Sequence, residues 1–483
     1  MPLLRWLPLT VIAFAAFWLR THDLGRRPMH ADEANQAVKL GELLDAGGYH
    51  FDPRDHHGPT LYFAAVPFAW ARGERSLAAL SETTIRLLTA CFGTAAVVLT
   101  FFLAVPLGRW PALAAAALVA LSPPAVYYSR YFIQETLLVA FTLAAFLAVR
   151  AWWRTGRTRH AVAAGVFVGL MQATKATAPL FLAAAVVATI AFRGQRPSTQ
   201  KGRRDAGWAL AGAIATAALL YSSFGTNLSG LRDAFAAYLQ AATRFGVNAA
   251  PTGHEKPWYY YLALFGWQKN GGLVWHQIAF GSLAVTGFAV ALARREAFLR
   301  WAALYAALVA TAFSLFAYKT PWQVIHFVPG FAIVAGASLA ALSRLNTGRL
   351  AAVAFALITF ATLFQQTWRS SFLRPADQRN PYAYVHSSAD VLKYRAAAEA
   401  ALARHPDRPI RVISEEYWPL PWYLRGLPQV GYWSAPPARC DGALIIASST
   451  QAEAVRAKLT GNYRESFLGL RPGFICILFT REP

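Results

Sequence analysis

The sequence has 483 residues, of which 56% are hydrophobic and only 14% are charged. A soluble globular domain carries about 25% charged residues, so this composition excludes an ordinary soluble protein. The net charge of +22 could indicate nucleic-acid binding, but the positive charges lie in short loops between apolar segments, as in membrane proteins. The three cysteines have neither metal-site nor disulfide-framework spacing.

Apolar runs long enough to cross a bilayer as helices recur along the chain. The first run lacks a small-residue cleavage site and is predicted to be an uncleaved anchor. The fold class is therefore a polytopic α-helical membrane protein, with the membrane domain over residues 1–370. About eleven membrane segments are predicted, over residues 3–20, 84–105, 111–128, 132–150, 160–174, 177–192, 207–224, 273–293, 298–317, 322–343 and 349–368.

Loop charges predict the orientation of these segments. If the N-terminus is cytoplasmic, every alternate loop carries arginine and lysine but almost no acid, as between Arg150 and Arg159. The excess of positive charge on cytoplasmic loops therefore places the loops 21–83 and 225–272, and the chain after residue 369, on the outer side.

Both outer loops and the tail carry further predicted elements. In the first loop, Asp32–Leu44 has helical spacing that Gly47 and Gly48 would end, and 59–71 is expected to lie in the membrane interface. After residue 370 the chain has ordinary charge, which predicts a small extracytoplasmic α/β domain over 371–483. Its predicted helices are 390–404 and 451–459, and its predicted strands are 410–414, 443–447 and 475–479.

Asp32 and Glu33 are adjacent carboxylates just outside the first membrane segment, in a protein with few acids. A carboxylate held at a membrane–water boundary can act as a positioned general base. The alternative is that the pair caps the helix beginning near residue 33, because Asp is favoured at the N-cap. If the protein is an enzyme, we expect these two residues to be catalytic.

Histidines lie at both ends of the same loop. His30 precedes the acid pair, and His56 and His57 follow Asp55 at the far end. A divalent metal near His30, Asp32, His56 and His57 is one interpretation. The spacing matches no strong metal motif, so a solvated turn is the alternative.

Four ionisable residues stand at the outer ends of apolar segments: Arg130, Glu135, Lys175 and Lys319. An ionisable group at membrane depth is a functional candidate, although Arg130 could pair with Glu135 and the lysines could extend to the interface as anchors. Together with Lys256, these cations are expected at the same membrane face as the acid pair. Several cations there would suit a phosphate-bearing lipid, because phosphate needs charge-assisted donors.

Four stretches, in this order and topology, carry a family resemblance: Asp32–Ala34, His57–Tyr62, Ser129–Glu135 and Ser314–Lys319. They resemble the GT-C glycosyltransferases that use polyprenyl-phosphate sugars, such as protein O-mannosyltransferases and lipid A aminoarabinose transferases. Three further stretches look like an uncharacterised bacterial and archaeal branch associated with the flipping of lipid-linked glycans: His254–Tyr261, Tyr318–Trp322 and Arg379–Tyr382.

The resemblance implies a GT-C fold in the bacterial inner membrane with an extracytoplasmic active site. It implies that Asp32 is the base and that Glu33 orients the acceptor. It also implies a substrate site formed by His57, Arg130, Glu135, Lys175, His254, Lys256, Tyr318 and Lys319, in which Lys175, Lys319 and Arg130 hold the phosphate. His57 departs from the family pattern, because relatives often have lysine there, and the Asp-x-Asp metal motif is missing.

The predicted function is transfer of a sugar from a polyprenyl-phosphate donor to a lipid-linked glycan, lipid or protein acceptor on the outer face. The expected partners are these substrates and membrane lipids, not nucleic acid. One alternative is a non-catalytic protein that binds lipid-linked glycan or assists its flipping. Another is a structural protein whose outer domain binds cell-wall polymer. The segment Trp418–Tyr423 could stack on a sugar or pack within the protein.

Overall fold

The computed structural model describes residues 5–55, 57–192, 199–245, 253–346 and 348–482. Its helices up to residue 221 are α1 (Leu7–Thr21), α2 (Ala31–Ala46), α3 (Thr60–Ala71), α4 (Glu82–Ala104), α5 (Arg109–Leu121), α6 (Pro123–Ser129), α7 (Glu135–Thr155), α8 (Thr158–Gln172), α9 (Ala178–Ala191) and α10 (Thr199–Tyr221). The helices that follow are α11 (Ser229–Phe245), α12 (Tyr260–Phe265), α13 (Ile278–Ala293), α14 (Ala297–Leu315), α15 (Val328–Leu342), α16 (Gly348–Trp368), α17 (Tyr394–Arg404), α18 (Leu420–Tyr423) and α19 (Ala452–Arg456).

The strands are few and lie mainly in the tail. They are β1 (Trp267–Asn270), β2 (Leu273–His276), β3 (Ile410–Ile413), β4 (Val430–Trp433), β5 (Leu444–Ser448), β6 (Tyr463–Arg471) and β7 (Phe474–Arg481). The three tail strands predicted from the sequence correspond to β3, β5 and β7, whereas β1, β2, β4 and β6 were not predicted. The predicted start of the membrane segment 273–293 is therefore wrong, because its first four residues form β2 and pair with β1.

Each predicted membrane segment contains a helix or a broken pair of helices. The segment 111–128 is broken: α5 and α6 are bent by 58° where Pro123 and Pro124 interrupt the backbone ladder. The segment 322–343 starts with a 3-10 turn over Pro321–His326 and continues as α15. The predicted segments 160–174 and 177–192, on either side of Lys175, correspond to the helices α8 and α9.

Fewer helices than the sequence predicted have the length and apolar composition that a membrane crossing requires. Among the described residues, four helical stretches are long and apolar enough to cross a bilayer, or five when the bent pair α5–α6 counts as one span. The helices α1, α9, α13 and α15 are apolar but shorter. The polytopic helical fold is thus confirmed in its coarse form, while the count of about eleven crossings stays a prediction.

Residue contacts divide the chain into two compact units. The first comprises residues 1–22, 48–65 and 86–374, and the second comprises 23–47, 66–85 and 375–483. In the first unit, α15 packs against α5 and α13, and every residue from Val328 to Leu339 is buried. A helix that is apolar on all sides belongs in the interior of a bundle, so α15 is a central element of this unit.

The second unit contains a five-stranded mixed sheet in the order β4-β3-β5-β7-β6. Strand β3 is parallel to both β4 and β5, and β7 is antiparallel to β5 and β6. One core cluster joins Ile413, Ile445 and Phe479 of the sheet to Val455 of α19. This unit also contains two stretches outside the predicted domain 371–483, namely 23–47, which holds the acid pair, and 66–85.

Candidate active site

The acid pair lies at the start of α2, in the second unit. His30 is the N-cap: its Nδ1 accepts a hydrogen bond from the backbone N–H of Asp32 (3.1 Å), while a Glu33 carboxylate oxygen accepts one from the His30 backbone N–H (3.4 Å). This reciprocal capping box satisfies two N–H groups that the helix cannot pair itself. At the other end, Gly47 adopts a left-handed φ of 68° and ends the helix, as the sequence predicted.

The two carboxylates have different environments. Glu33 is 0% exposed and forms an ion pair with the buried Arg27 (Nη2 to Oε2, 3.2 Å). Asp32 is exposed, and its carboxylate has no hydrogen-bond partner among the described residues. The prediction of Asp at the N-cap is therefore wrong, because His30 takes that position and Glu33 completes the cap, while Asp32 is left exposed.

Three tail residues, Tyr384, His386 and Tyr423, contact the residues just before the acid pair and are called the platform here. The His30 Nε2 lies 3.0 Å from the carbonyl oxygen of Tyr384, and the backbone N–H of Met29 donates to the Tyr423 hydroxyl (2.8 Å). His386 lies against His30, with ring centroids 5.8 Å apart. Burial, together with the positive charge of Arg27, holds the pKa of His386 well below its ordinary value, so this ring is neutral at physiological pH.

This platform escaped the sequence analysis. Tyr384 lies 354 residues from His30 in the sequence, and His386 lies further still. The only local signal was His30 three residues before Glu33, which is the spacing of a capping box. With Nδ1 bonded to the Asp32 N–H and Nε2 to a carbonyl, both ring nitrogens of His30 are occupied, and the ring is not free to bind a metal.

Glu135 and Lys175 meet in the first unit. The Lys175 ammonium donates to the Glu135 carboxylate, and both side chains are almost fully buried. Glu135 therefore pairs with Lys175 and not with Arg130. Burying a charge without a partner is costly in a low-dielectric site, so each residue stabilises the charged form of the other.

His57 is brought to the same place by backbone pairing. A β-bridge joins His57 to Lys175, and Gly58 and Thr60 donate their N–H groups to the carbonyls of Thr174 and Ala173 (3.1 Å each). A Cβ on Gly58 would lie 2.0 Å from the Ala173 oxygen, so glycine is required for this close approach. The structure thus groups His57, Glu135 and Lys175.

Lys319 forms a second cationic centre of the first unit. It is 2% exposed, and its ammonium donates to the backbone carbonyls of Lys256 (3.0 Å) and Phe316. Backbone pairing joins the stretches 254–256 and 317–319, and the rings of His254 and Tyr318 lie 4.9 Å apart. Burial lowers the pKa of Lys319. The structure therefore groups His254, Lys256, Tyr318 and Lys319.

Arg130 has a bracing position. Its guanidinium donates to the carbonyls of Leu19 (3.2 Å), Arg20 (3.3 Å) and His22 (2.5 Å), which end α1, and it stacks on Phe372. The last carbonyls of a helix have no partner within it, so Arg130 supplies donors that α1 lacks.

An apolar cavity lies deeper in the first unit. It lies between α7, α9, α14 and α15 and has room for about one water molecule. Its lining includes Phe146, Phe181, Tyr305 and His326, and the His326 Nε2 has no hydrogen-bond partner among the described residues.

The histidine-rich metal interpretation gains no support from the described residues. No group of three or more His, Cys, Asp or Glu side chains there is arranged to hold a metal ion. His30 and Asp32 belong to the second unit and His57 to the first, while His56 lies outside the described residues. The cysteines Cys91, Cys440 and Cys476 are free thiols, as the sequence favoured.

Apart from Arg130, which braces the end of α1, the predicted site residues form three groups. The acids Asp32 and Glu33 belong to the second unit, whereas the Lys175 group and the Lys319 group belong to the first. Their assembly into one site stays a prediction.

Comparison with known proteins identifies the fold. The family model of dolichyl-phosphate-mannose-protein mannosyltransferases matches residues 66–221, and no curated protein matches the chain. ArnT from Cupriavidus metallidurans is similar over 98% of this chain and 97% of its own, with a TM-score of 0.67 and 14% identity in the apo state. Its structure bound to undecaprenyl phosphate gives 0.62 and 15% over the same shares.

A second similar structure comes from an archaeon. The oligosaccharyltransferase AglB from Archaeoglobus fulgidus, in complex with an inhibitory peptide and a dolichol-phosphate, matches 96% of this chain and 72% of its own. The TM-score is 0.57 at 12% identity. The resemblance to GT-C glycosyltransferases drawn from the sequence motifs is thus confirmed at the level of the fold, which is GT-C-like.

Proposed function

We propose that the protein is an integral-membrane glycosyltransferase. It transfers a sugar from a polyprenyl-phosphate-linked donor to a lipid-linked glycan, lipid or protein acceptor on the outer face of the bacterial inner membrane. The fold supports this proposal, because two similar structures contain undecaprenyl phosphate and a dolichol-phosphate.

The environment of Asp32 carries the catalytic assignment. Its neighbour Glu33 and its cap His30 are fixed by the capping box and the Arg27 ion pair, which leaves Asp32 as an exposed carboxylate on a rigid helix start. In the proposed reaction, Asp32 takes the proton of an acceptor hydroxyl. The hydroxyl oxygen bonds to the sugar C1, the bond from C1 to the phosphate oxygen breaks with inversion, and lipid phosphate leaves. Glu33 acts by holding the loop.

Lys319 is our first choice for binding the phosphate. Among the described residues its hydrogen-bond partners are backbone carbonyls, so no carboxylate balances its charge. A phosphate would supply that balance through charge-assisted hydrogen bonds. Lys175 already has a countercharge in Glu135, so we assign it a supporting electrostatic role with His57 beside it. His254, Lys256 and Tyr318 orient Lys319.

The test is Asp32→Asn in purified protein, with undecaprenyl-phosphate-linked hexoses and pentoses as donors and membrane-extracted glycolipid as acceptor. A positioned base contributes about 100-fold or more to a rate, so we expect transfer to fall by at least that factor while undecaprenyl phosphate still binds. The matched control is Glu42→Gln, which neutralises an exposed acid on the same helix and is expected to keep the wild-type rate.

A non-catalytic carrier or flipping partner makes the opposite prediction. Asp32→Asn would then behave like the wild type in every assay, whereas Lys319→Gln would abolish binding of undecaprenyl phosphate. Transfer at the wild-type rate by Asp32→Asn would disprove the assignment of the base.

A further inference from the structure

The order of strands in the second unit creates a topological switch point. From β3 the chain runs to β4 on one side, whereas from β5 it runs towards β6 and β7 on the other side. Because β3 and β5 are adjacent and parallel, their carboxyl ends lie together where these connections diverge. In open sheets with parallel strands, ligands bind outside the carboxyl ends of the strands at such a point.

A polar cluster occupies this position. Glu415 follows the end of β3, and its carboxylate accepts hydrogen bonds from Ser448 (3.1 Å) at the end of β5, from Thr450 (3.2 Å) and from Gln451. These bonds, with Gln451 first, lower the pKa of Glu415, so the carboxylate is ionised. Glu415 is nevertheless exposed, and a carboxylate has about four acceptor positions, so it can accept further hydrogen bonds from outside.

Aromatic rings flank this carboxylate along the chain. Tyr417 and Trp418 follow it by two and three residues, with ring centroids 6.1 Å apart, and Tyr417 lies 5.2 Å from Tyr432 of β4. All three rings are only partly buried. By contrast, Trp422 is fully buried and donates to Glu82 (2.7 Å), so it packs within the unit. The switch-point cluster is defined here as Glu415, Tyr417, Trp418, Tyr432, Ser448 and Thr450.

Charge selects the class of ligand. Glu416 lies beside Glu415 and is paired with Arg471, which leaves the Glu415 charge without a cation among its hydrogen-bond partners. An anion such as a nucleotide phosphate would be repelled here. A sugar fits better, because its hydroxyls can donate to a carboxylate and its C–H face can pack on an aromatic ring.

We propose that the switch-point cluster binds a neutral glycan, whose hydroxyls donate to Glu415 while its rings pack on Tyr417 and Tyr432. The proposal deepens the proposed function, because it makes a glycan-bearing molecule the acceptor and places a holding site for it away from Asp32 in the chain. It rests on the proposed function only for the identity of this glycan as the acceptor.

The experiment measures binding of soluble tetrasaccharides of mannose, glucose, galactose and N-acetylglucosamine to the purified full-length protein by saturation-transfer NMR. We expect saturable millimolar binding of at least one of them. Glu415→Gln and Tyr417→Ala should each weaken it by about tenfold or more, whereas Tyr417→Phe, which keeps the ring, should stay within about threefold of the wild type.

Two controls make the outcome decisive. Glu465→Gln neutralises an exposed acid of the same sheet, paired with Arg456, and should leave binding unchanged. Asp32→Asn should lose transfer but keep tetrasaccharide binding, so the catalytic proposal and the glycan proposal can fail separately. No saturable binding below about 20 mM, or equal binding by the wild type and Tyr417→Ala, would overturn the proposal. If Glu415→Gln fails to fold, the comparison of Tyr417→Ala with Tyr417→Phe decides.

Discussion

At the scale of single residues, the two adjacent acids Asp32 and Glu33 have different roles. Glu33 is buried, paired with Arg27 and part of the capping box, whereas Asp32 projects from the same turn into an exposed position. Successive helical residues point about 100° apart, so one of two adjacent acids can be structural while the other is free. His30 links the two roles, because it caps the helix through the N–H of Asp32 itself.

We predict that His30 positions Asp32 for catalysis. His30→Ala removes the cap and the bond to Tyr384, and loss of an N-cap costs about 1 kcal/mol, which corresponds to roughly a fivefold to tenfold loss if it misplaces the base. We therefore expect kcat to fall by about that factor with KM little changed, while His30→Asn, which can still cap, recovers part of it. Steady-state kinetics with a thermal melt of each variant checks this.

A merely structural His30 would give a different pattern. The melting temperature of His30→Ala would fall, but kcat per folded molecule would equal that of the wild type. Lys39→Ala, on the same helix but about two and a half turns beyond the cap, serves as the control for general effects on α2.

The sequence could predict this site only in part. Its local signals predicted α2 and its stop at Gly47, which the structure confirms, whereas the catalytic role of Asp32 and Glu33 stays a prediction. The partners His386 and Tyr384 were not predictable, because they reach His30 through the folding of the tail against the loop. Likewise, the sequence marked Glu135, Arg130 and Lys175 as ionisable groups at membrane depth, but which pair formed depended on how α7 and α8 pack.

At the scale of elements, two arginines brace two helix ends reciprocally. Pro123 and Pro124 have no N–H, so the carbonyls of Val119 and Ala120 in α5 lose their partners four residues on. Arg20 of α1 donates to both of these carbonyls (3.1 Å each). Arg130, which follows α6, in turn donates to the carbonyls that end α1. Arg20 of α1 thus stabilises the end of α5, and Arg130 stabilises the end of α1.

We predict that Arg20 and the proline pair are energetically coupled. Arg20→Met leaves two buried carbonyls unpaired, each at a cost of about 1–3 kcal/mol, so the detergent-solubilised protein should melt at a clearly lower temperature. With Pro123→Ala and Pro124→Ala, the backbone N–H groups return, and Arg20→Met should cost markedly less. A double-mutant cycle of melting temperatures measures this coupling.

Exposed Arg26 provides the matched control, since Arg26→Met removes an arginine that, within the described part of the chain, pairs with the surface residue Asp23. Equal losses from Arg20→Met in the two proline backgrounds would refute the coupling. The sequence predicted one continuous segment over 111–128 and did not predict the break at Pro123 and Pro124. Arg20 lies a hundred residues from the carbonyl of Ala120 in the sequence. Its hydrogen bond to that carbonyl depends on the packing of α1 on α5, which the sequence does not show.

At the scale of the whole molecule, the sequence predicted the alternation of apolar segments well, because a membrane helix must satisfy its backbone within itself and therefore leaves a long local signal. It missed β1, β2 and β4, which have four residues each, and β6, which has nine. All four depend on neighbouring strands for their hydrogen bonds. It also placed the boundary of the tail domain at residue 371, although 23–47 and 66–85 join the same compact unit through contacts that are distant in sequence.

The orientation of the whole molecule gives a final prediction. Arginines between residues 150 and 159 should hold the connection between α7 and α8 on the cytoplasmic side, since translocating positive loops is disfavoured. Thr155→Cys at the end of α7 and Ser434→Cys after β4 are both at exposed positions. In intact spheroplasts, a membrane-impermeant maleimide should label Ser434→Cys at once and Thr155→Cys only after permeabilisation. The wild type is the blank, because Cys440 and Cys476 are buried and Cys91 is partly buried within α4. The reverse labelling would place the second unit inside the cell, where an outward-facing Asp32 and donor transfer on the outer leaflet are both impossible.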